Sequence, residues 1–331
     1  MLGDKEAFSL GCGESQKELQ ATLNSQRNKA TEETARAKVF PINLVAFALW
    51  AMPRWALSLF CRFLGALIPL VAPKRQALMM DNLRKSFPDE TEKSLLLTAA
   101  KSRARTVELG LFSFALPLLS ERYLRKSFPL SDKLKKAMGR DQEGGVLFLA
   151  PHLCLVESFC CLPMLLPECK EMSTVFRPLR NRRLGEWLRR GRERFGLRTL
   201  DRSRGLLQGA RFLQKEKILS ILFDQNAGHA GTRMKFLGRE CSCTTLPDLL
   251  HERFHSNVVI GYVRRTGFWR AELDCEVIEV NIDQESVVEK ANAWLEKKLY
   301  EDEDLRASWL WLHNRWKAGS GKPRKQEDSS A

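Results

Sequence analysis

The residues whose types and spacing could do chemistry sit in one stretch, Gly144 to Glu157. Gly144 and Gly145 open it, an apolar run from Val146 to Ala150 comes next, and the chain then passes through Pro151–His152 to Glu157. An imidazole takes up and releases protons near neutral pH. A carboxylate that reaches one ring nitrogen fixes the tautomer and leaves the other nitrogen free as a general base. Inside one ideal helix, five residues turn about 500° and set two side chains about 140° apart. The spacing therefore suits His152 in a strand-to-helix turn and Glu157 in the first turns of the next helix. The bland alternative is a helix-capping histidine and an exposed glutamate, and His-x4-Glu alone is too short to exclude it. Cys154 between them is a rival nucleophile; on such a turn it is expected to point into the core.

Two further groups could supply binding. From Arg177 to Arg194 the chain carries arginines at 177, 180, 182, 183, 189, 190, 192 and 194, against Glu186 and Glu193. Clustered guanidiniums repel one another unless an anion is present, and their forks match phosphate bidentately. The other reading is a solvated basic helix. Asp224–Gln225–Asn226 come directly after the apolar run Ile218 to Phe223. In a parallel sheet they lie at the level of His152, beyond the carboxyl ends of the strands. Arg192 and Asp224 then either serve the substrate separately or pair with each other.

Other patterns carry less. His251–Glu252–Arg253–Phe254–His255 matches a zinc-protease spacing, but a third ligand is needed, and the helix is expected to end just past His255. Cys241-x-Cys243 with His229 is too sparse for structural zinc. No glycine-rich phosphate loop is present, so no nucleotide cofactor is expected, and no cofactor or metal at all.

The elements that must position these residues alternate. Strands are expected at Val146–Ala150, Ser173–Phe176, Ile218–Phe223, Val258–Val263 and Trp269–Val280, with helices at Gly205–Lys215, Thr244–His255 and Ser286–Lys298 between or after them. Met234–Arg239 reads as a short edge segment. Strands alternating with helices predict an α/β sandwich. Upstream, two helices are expected between Asn82 and Leu119, broken near Phe87–Pro88–Asp89, with Asp89 or Thr91 capping the second. Residues 120–143 read as charged helix.

Composition frames the partners. Lys and Arg total 54 against 40 Asp and Glu, a net charge of +14, which calls for an anionic partner such as phospholipid, an acidic carrier or nucleic acid. Nine cysteines without framework spacing argue for reduced thiols facing the cytoplasm. Val39 to Pro73 is the most apolar stretch, with tryptophans beside arginines, and reads as a membrane anchor, either a tilted span or a monotopic hairpin. Its longest uncharged run, Val39–Pro53, is short of the ~20 residues a spanning helix needs. A buried core helix is the other reading. Lys74–Arg75 and Arg84–Lys85 would face anionic headgroups. Residues 1–38 are polar and read as a disordered extension without a secretory signal, and 318–331 as a disordered tail. The core is then 144–317, with 39–73 the anchor and 74–143 a helical lead-in.

Several motifs then fall in one order: Ala-Pro-His152-x4-Glu157, Phe176-Arg-Pro-Leu-Arg-Asn181, Glu186-Trp187, Arg190-Gly-Arg-Glu-Arg194, Phe223-Asp-Gln225, Lys235-Phe-Leu-Gly-Arg239, Thr244-Thr245 and Trp309-Leu-Trp-Leu-His-Asn-Arg-Trp316. Over about residues 40–317 this ordered set resembles the lipid A biosynthesis acyltransferases of lauroyl/myristoyl type, within the lysophospholipid acyltransferase superfamily. The resemblance implies a single α/β/α sandwich with a mixed, mostly parallel sheet, preceded by a membrane-embedded helical anchor. It implies transfer of a fatty acyl chain from acyl carrier protein to a hydroxyl of a phosphorylated lipid A precursor at the cytoplasmic face of the bacterial inner membrane. It makes His152 and Glu157 the catalytic pair. Arg192 and Asp224 fall on other functional polar positions, and Arg177, Asn181, Arg189, Gln225 and Arg239 join them on the substrate side. Phe223 stands where the family usually has proline, and Asn226 where aspartate is common. The open alternatives are acylation of another glycolipid or lysophospholipid, and a non-catalytic protein binding anionic lipid or nucleic acid. A nucleic-acid partner is not expected, because no recognition motif accompanies the arginines.

Overall fold

The structure, a computed structural model, describes residues 44–317 except 46, 50, 177, 178, 180 and 282–284, and gives no side-chain description for 201–206. The expected polar extension, the first part of the run Val39–Pro53, Arg177 and the tail therefore lie outside the described residues. The chain divides into two compact units, 1–48 and 49–331. In the first, Leu44, Val45, Phe47 and Ala48 are helical.

The second unit is built on a six-stranded sheet. Its strands are β1 (Val146–Ala150), β2 (Met172–Phe176), β3 (Arg198–Asp201), β4 (Ile218–Leu222), β7 (Asn257–Gly267) and β8 (Arg270–Ile278), in the order β3-β2-β4-β1-β7-β8. All neighbours are parallel except β7 and β8, which form an antiparallel pair. β5 (Thr232–Phe236) and β6 (Arg239–Cys243) make a separate antiparallel hairpin. The expected edge segment at Met234–Arg239 is thus the heart of a two-stranded sheet. β3 is not among the expected strands, because four residues beginning with an arginine give no apolar run.

β1 is central, and every one of its residues is buried. Val146, Phe148 and Ala150 enter one core, while Leu147 and Leu149 enter another. A strand covered on both faces shows a continuous apolar run rather than alternation. Gly144 turns the chain into β1 at φ +72°, and a Cβ on Gly145 would lie 2.7 Å from the Leu213 carbonyl oxygen. Both positions need glycine, one for its backbone conformation and one for the close approach.

The helices cover both faces. They are α1 (Arg54–Val71), α2 (Pro73–Ser86), α3 (Glu92–Ala115), α4 (Glu121–Ser127), α5 (Asp132–Met138), α6 (Leu162–Leu165), α7 (Arg182–Glu193), α8 (Arg202–Gln214), α9 (Leu246–Phe254), α10 (Val287–Glu301) and α11 (Glu303–Ser308). Phe112 and Ala115 of α3 join the first core; Leu213 of α8, Leu250 of α9 and Leu295 and Leu299 of α10 join the second. The expected α/β sandwich with a mostly parallel sheet is therefore the fold. Thr91 caps α3, its hydroxyl accepting from the Ser94 amide at 3.2 Å.

α1 begins after Pro53, which stands at its N-cap, and buries Leu57, Cys61 and Gly65. Against α3 it comes so close that a Cβ on Gly65 would meet the Ala104 amide nitrogen at 2.9 Å, and Arg103 donates to the Gly65 carbonyl at 3.0 Å. Its other face exposes Trp55, Leu59, Phe63, Leu70 and Val71. Among the described residues it is the one helix long and apolar enough to cross a membrane. The apolar helix thus starts at the proline where the uncharged run ends. Of the basic residues expected to face headgroups, Arg84 pairs with Glu92, Lys85 with Asp81, and Arg75 donates to the Leu312 carbonyl at 3.2 Å.

Candidate active site

Register brings the site together. Ala150 of β1 partners Leu222 of β4 in the parallel ladder. Two residues beyond each strand end, His152 and Asp224 therefore stand side by side. Oδ1 of Asp224 lies 2.5 Å from His152 Nδ1, and its Oδ2 accepts from the His152 backbone N–H at 2.8 Å. A third donor, the indole N–H of Trp309, reaches Oδ2 at 2.6 Å. Asp224 is wholly buried. Burial alone would raise its pKa, but His152 beside it, and His313 further off, hold the carboxyl well below the usual range. An ionised carboxylate on Nδ1 puts the proton there, so Nε2 carries the lone pair. That nitrogen lies 2.9 Å from the Gln225 side-chain amide on the exposed side of the ring.

The turn that holds His152 is pinned by the end of the chain. Leu153 pairs with Trp309 as an isolated bridge. The Cys154 amide donates to the Ser308 carbonyl at 2.8 Å, and the Leu310 amide to the His152 carbonyl at 3.1 Å. Leu155 takes a left-handed conformation at φ 65°. That conformation costs a leucine on the order of 1–3 kcal/mol and persists only when its surroundings over-determine it. The chain then enters a 3-10 segment, Val156–Cys161, rather than a regular α-helix.

This tighter turn redirects Glu157. The carboxylate expected on the imidazole is held instead by Arg192, whose Nε and Nη2 donate to Glu157 Oε2 and Oε1 at 2.8 and 2.5 Å. Each side chain is 17% exposed. Burial would raise the Glu157 pKa, yet the Arg192 charge and its hydrogen bonds pull it below the ordinary value. The imidazole's carboxylate partner is therefore Asp224, and Arg192 does not pair with Asp224. Arg192→Ala should leave Glu157 buried without a counter-charge and cost about 3 kcal/mol of stability. Adding Glu157→Gln should restore part of it, and urea unfolding of the wild type and the two variants checks both effects.

The remaining predicted site residues scatter. Asn181 caps α7, its Oδ1 accepting from the Arg183 and Leu184 amides at 3.1 Å. Arg189 pairs with Glu186 and Glu193, and Arg190 with Glu186 at 3.0 Å. Arg194 donates to the Pro117 carbonyl at 2.5 Å. The two glutamates on α7 thus engage two of its arginines, Arg189 and Arg190. Arg239 stacks over the Trp316 ring at 4.3 Å and reaches Asn82 at 3.5 Å, neither of them in the His152 cluster. Cys154 is buried, and its thiol, pushed well above the ordinary value by burial, donates to the Arg105 carbonyl at 3.5 Å. His251 holds the Ser256 carbonyl at 2.8 Å, while His255 ends α9 in a left-handed conformation.

Trp309 and Arg315 are members of the site that sequence reasoning missed. The one usable signal was chemical: a cluster of tryptophans with a histidine and an arginine is too polar to be packing alone, since a buried indole N–H needs an acceptor. His313 lies in the same cluster, its ring 4.9 Å from Trp309. Burial, and then the nearby His152, bring its pKa down to about 4, although Asp224 opposes the fall. The unfolded chain takes up a proton on this histidine near pH 6.5, whereas the folded chain does so only near pH 4. Stability should therefore decline as pH falls across that window, and His313→Gln should flatten the decline in thermal unfolding.

A family comparison bears on this arrangement. No curated protein matches the chain. The family of bacterial lipid A biosynthesis acyltransferases matches residues 25–318, which takes in the strands, the His152 turn, Glu157, Arg192, Asp224 and the Trp309–Trp316 segment. On that match the chain belongs to the bacterial lipid A biosynthesis acyltransferases.

Proposed function

We propose that this protein moves a fatty acyl chain from an acyl-carrier-protein thioester to a hydroxyl of a phosphorylated lipid A precursor, late in lipopolysaccharide assembly, with His152 as general base. The observation that carries the reading is the Asp224–His152–Gln225 line, which leaves one basic nitrogen on the exposed side. An alcohol has a pKa far above 7 and must lose its proton as it attacks the thioester carbon. His152 Nε2 takes that proton. Asp224 stabilises the imidazolium that forms, as the carboxylate of a catalytic triad does. The imidazolium then protonates the departing thiolate, so the proton moves twice, from hydroxyl to Nε2 to sulfur, and the acyl group once. Gln225 occupies the place the hydroxyl takes and swings aside for it. No acyl-enzyme is required.

Glu157 and Arg192 form an ion pair close to the base and shape the acceptor side of the site. The acceptor's phosphate falls to the basic segment around α7, including Arg177, Asn181 and Arg189, and Arg239 serves from its own segment. The net charge of +14 favours both an acidic carrier and an anionic membrane surface. The exposed face of α1 supports attachment to the inner membrane, with the site on the cytoplasmic side.

The test is mass spectrometry of total glycolipid from membranes carrying the protein, incubated with acyl-carrier-protein thioesters of several chain lengths. A lipid A precursor heavier by one acyl chain is expected with at least one donor. No new acylated lipid with any donor would refute the reading. Cys154→Ala should remain active in the same assay, and a dead variant would favour an acyl-enzyme instead.

A further inference from the structure

Two cysteines outside the catalytic line are built into its support. Cys241 and Cys243 are two residues apart on β6, so both side chains fall on one face. Their sulfurs are 3.6 Å apart, and both residues are buried. Beside them lies Arg315, 0% exposed. Its guanidinium donates to the Gln225 carbonyl at 2.7 Å, to Asn292 Oδ1 at 2.8 Å and to Cys243 Sγ at 3.2 Å. None of these three partners is a carboxylate. A fully buried cation needs a counter-charge, and of these partners only the Cys243 sulfur can carry one. The hydrogen bond from Cys241, acting against burial and with help from Arg315, brings the Cys243 thiol down to about 7. Burial drives Cys154 and Cys160 the other way.

Arg315 is also the link to the site. It holds the Gln225 backbone, its own carbonyl accepts from Asn226 at 3.0 Å, and the Gln225 side chain meets His152 Nε2. Open space lies one residue away from the sulfurs, although neither cysteine lines it. A cavity of about 440 Å³ is lined by Met234, which partners Cys241 across the hairpin, and by Asn292, which donates to Cys243 Sγ at 3.7 Å.

We propose that Cys241 and Cys243 are a redox-sensitive dithiol, and that its closure by a hydroperoxide withdraws the partner of Arg315 and loosens Gln225 against His152. The inference rests on the reading of His152 as the base. The Cys243 thiolate attacks one peroxide oxygen, the O–O bond breaks, and hydroxide leaves to take up a proton. Cys243 is then a sulfenic acid. The Cys241 sulfur attacks the Cys243 sulfur, the S–O bond breaks, and a second water leaves. Two thiols and one hydrogen peroxide give one disulfide and two waters, and the peroxide takes both electrons. Residues two apart on an extended strand have Cα atoms about 6.6 Å apart. That is near the upper limit of about 6.8 Å for a disulfide. The strand must shorten as the bond closes, which swings Sγ of Cys243 off Arg315. Strained bridges of this kind are the readily reduced, regulatory ones.

The experiment treats the full-length protein with hydrogen peroxide and tracks three signals. Peptide mapping should show a loss of about 2 Da in the segment containing Cys241 and Cys243. Hydrogen exchange should rise in the 224–226 segment. Acyl transfer should fall about tenfold in step with the mass change, and dithiothreitol should restore all three. Cys241→Ser cannot close the bridge; before treatment it should transfer at the rate of the reduced wild type, and peroxide should then add oxygen at Cys243, a gain of about 16 Da, in place of the loss of about 2 Da. Either a segment that stays reduced while the enzyme is inactivated, or a bridge that forms without changing exchange at 224–226, would overturn the proposal. A reduced protein with no acyl transfer at all would defeat the acyltransferase reading alone, and mapping with exchange would still decide whether the relay exists.

Discussion

His152→Ala is expected to lower acyl transfer by about 10²–10⁴-fold, the usual contribution of a positioned general base. The fold should hold. The imidazole side chain is 16% exposed and touches Asp224 and Gln225, while the backbone N–H at 152 still binds Asp224 after the substitution. Trp309 keeps its bond to the same carboxylate. The loss should fall on the rate of the chemical step rather than on donor affinity, because the imidazole acts on a proton that moves only as the thioester is attacked. Single-turnover transfer from a saturating thioester reads this directly. A variant retaining more than about a tenth of the wild-type rate would show that another group takes the proton.

The second large effect belongs to Asp224→Asn, expected to reduce transfer by a similar 10²–10⁴-fold with little change in shape. Donors and acceptors decide it. One carboxylate oxygen faces the His152 ring; the other accepts from two N–H groups, those of His152 and Trp309. An asparagine offers one oxygen and one NH2. Placed against the two N–H groups, the NH2 would meet donors on both sides. The side chain therefore turns its oxygen to them and its NH2 to Nδ1. The ring must then accept at Nδ1, which moves its proton to Nε2, and the base is lost to the wrong tautomer. The pH dependence separates this from a structural defect: activity should remain low at every pH at which the protein is folded. Recovery to near wild-type rate at high pH would show that only the charge of Asp224 mattered.

How much of this was legible in the sequence depended on range. The apolar run before His152 marked a buried strand, and the polar triplet after Ile218–Phe223 marked a second strand end at the same level. Parallel register did the rest and set Asp224 beside His152. Glu157 was misjudged because a spacing of five assumes a regular helix. The left-handed Leu155 and the 3-10 segment after it rotate the carboxylate away to Arg192. The arginine segment holds fewer unpaired guanidiniums than its composition implies, because Glu186 reaches two of them, Glu193 shares one, and Arg192 is held by Glu157. Trp309 was invisible as a site residue because its partner is 85 positions away, and no local pattern encodes such a contact. β3 was missed for want of an apolar run, while the reversed direction of β8 depends on pairing that composition does not report.

The bridge between the His152 turn and the Trp309 segment has a consequence for how this protein comes into being. Asp224 is translated 72 residues after His152, and Trp309 a further 85 residues after Asp224. At about 5–20 residues per second a ribosome needs roughly eight to thirty seconds to pass from the first to the last. During that interval the nascent chain can bring α1 to a lipid surface, yet it holds a histidine with no anchored carboxylate. On the attachment proposed for α1, birth order puts tethering before competence, and a message cut short before Trp309 should yield a tethered but silent polypeptide.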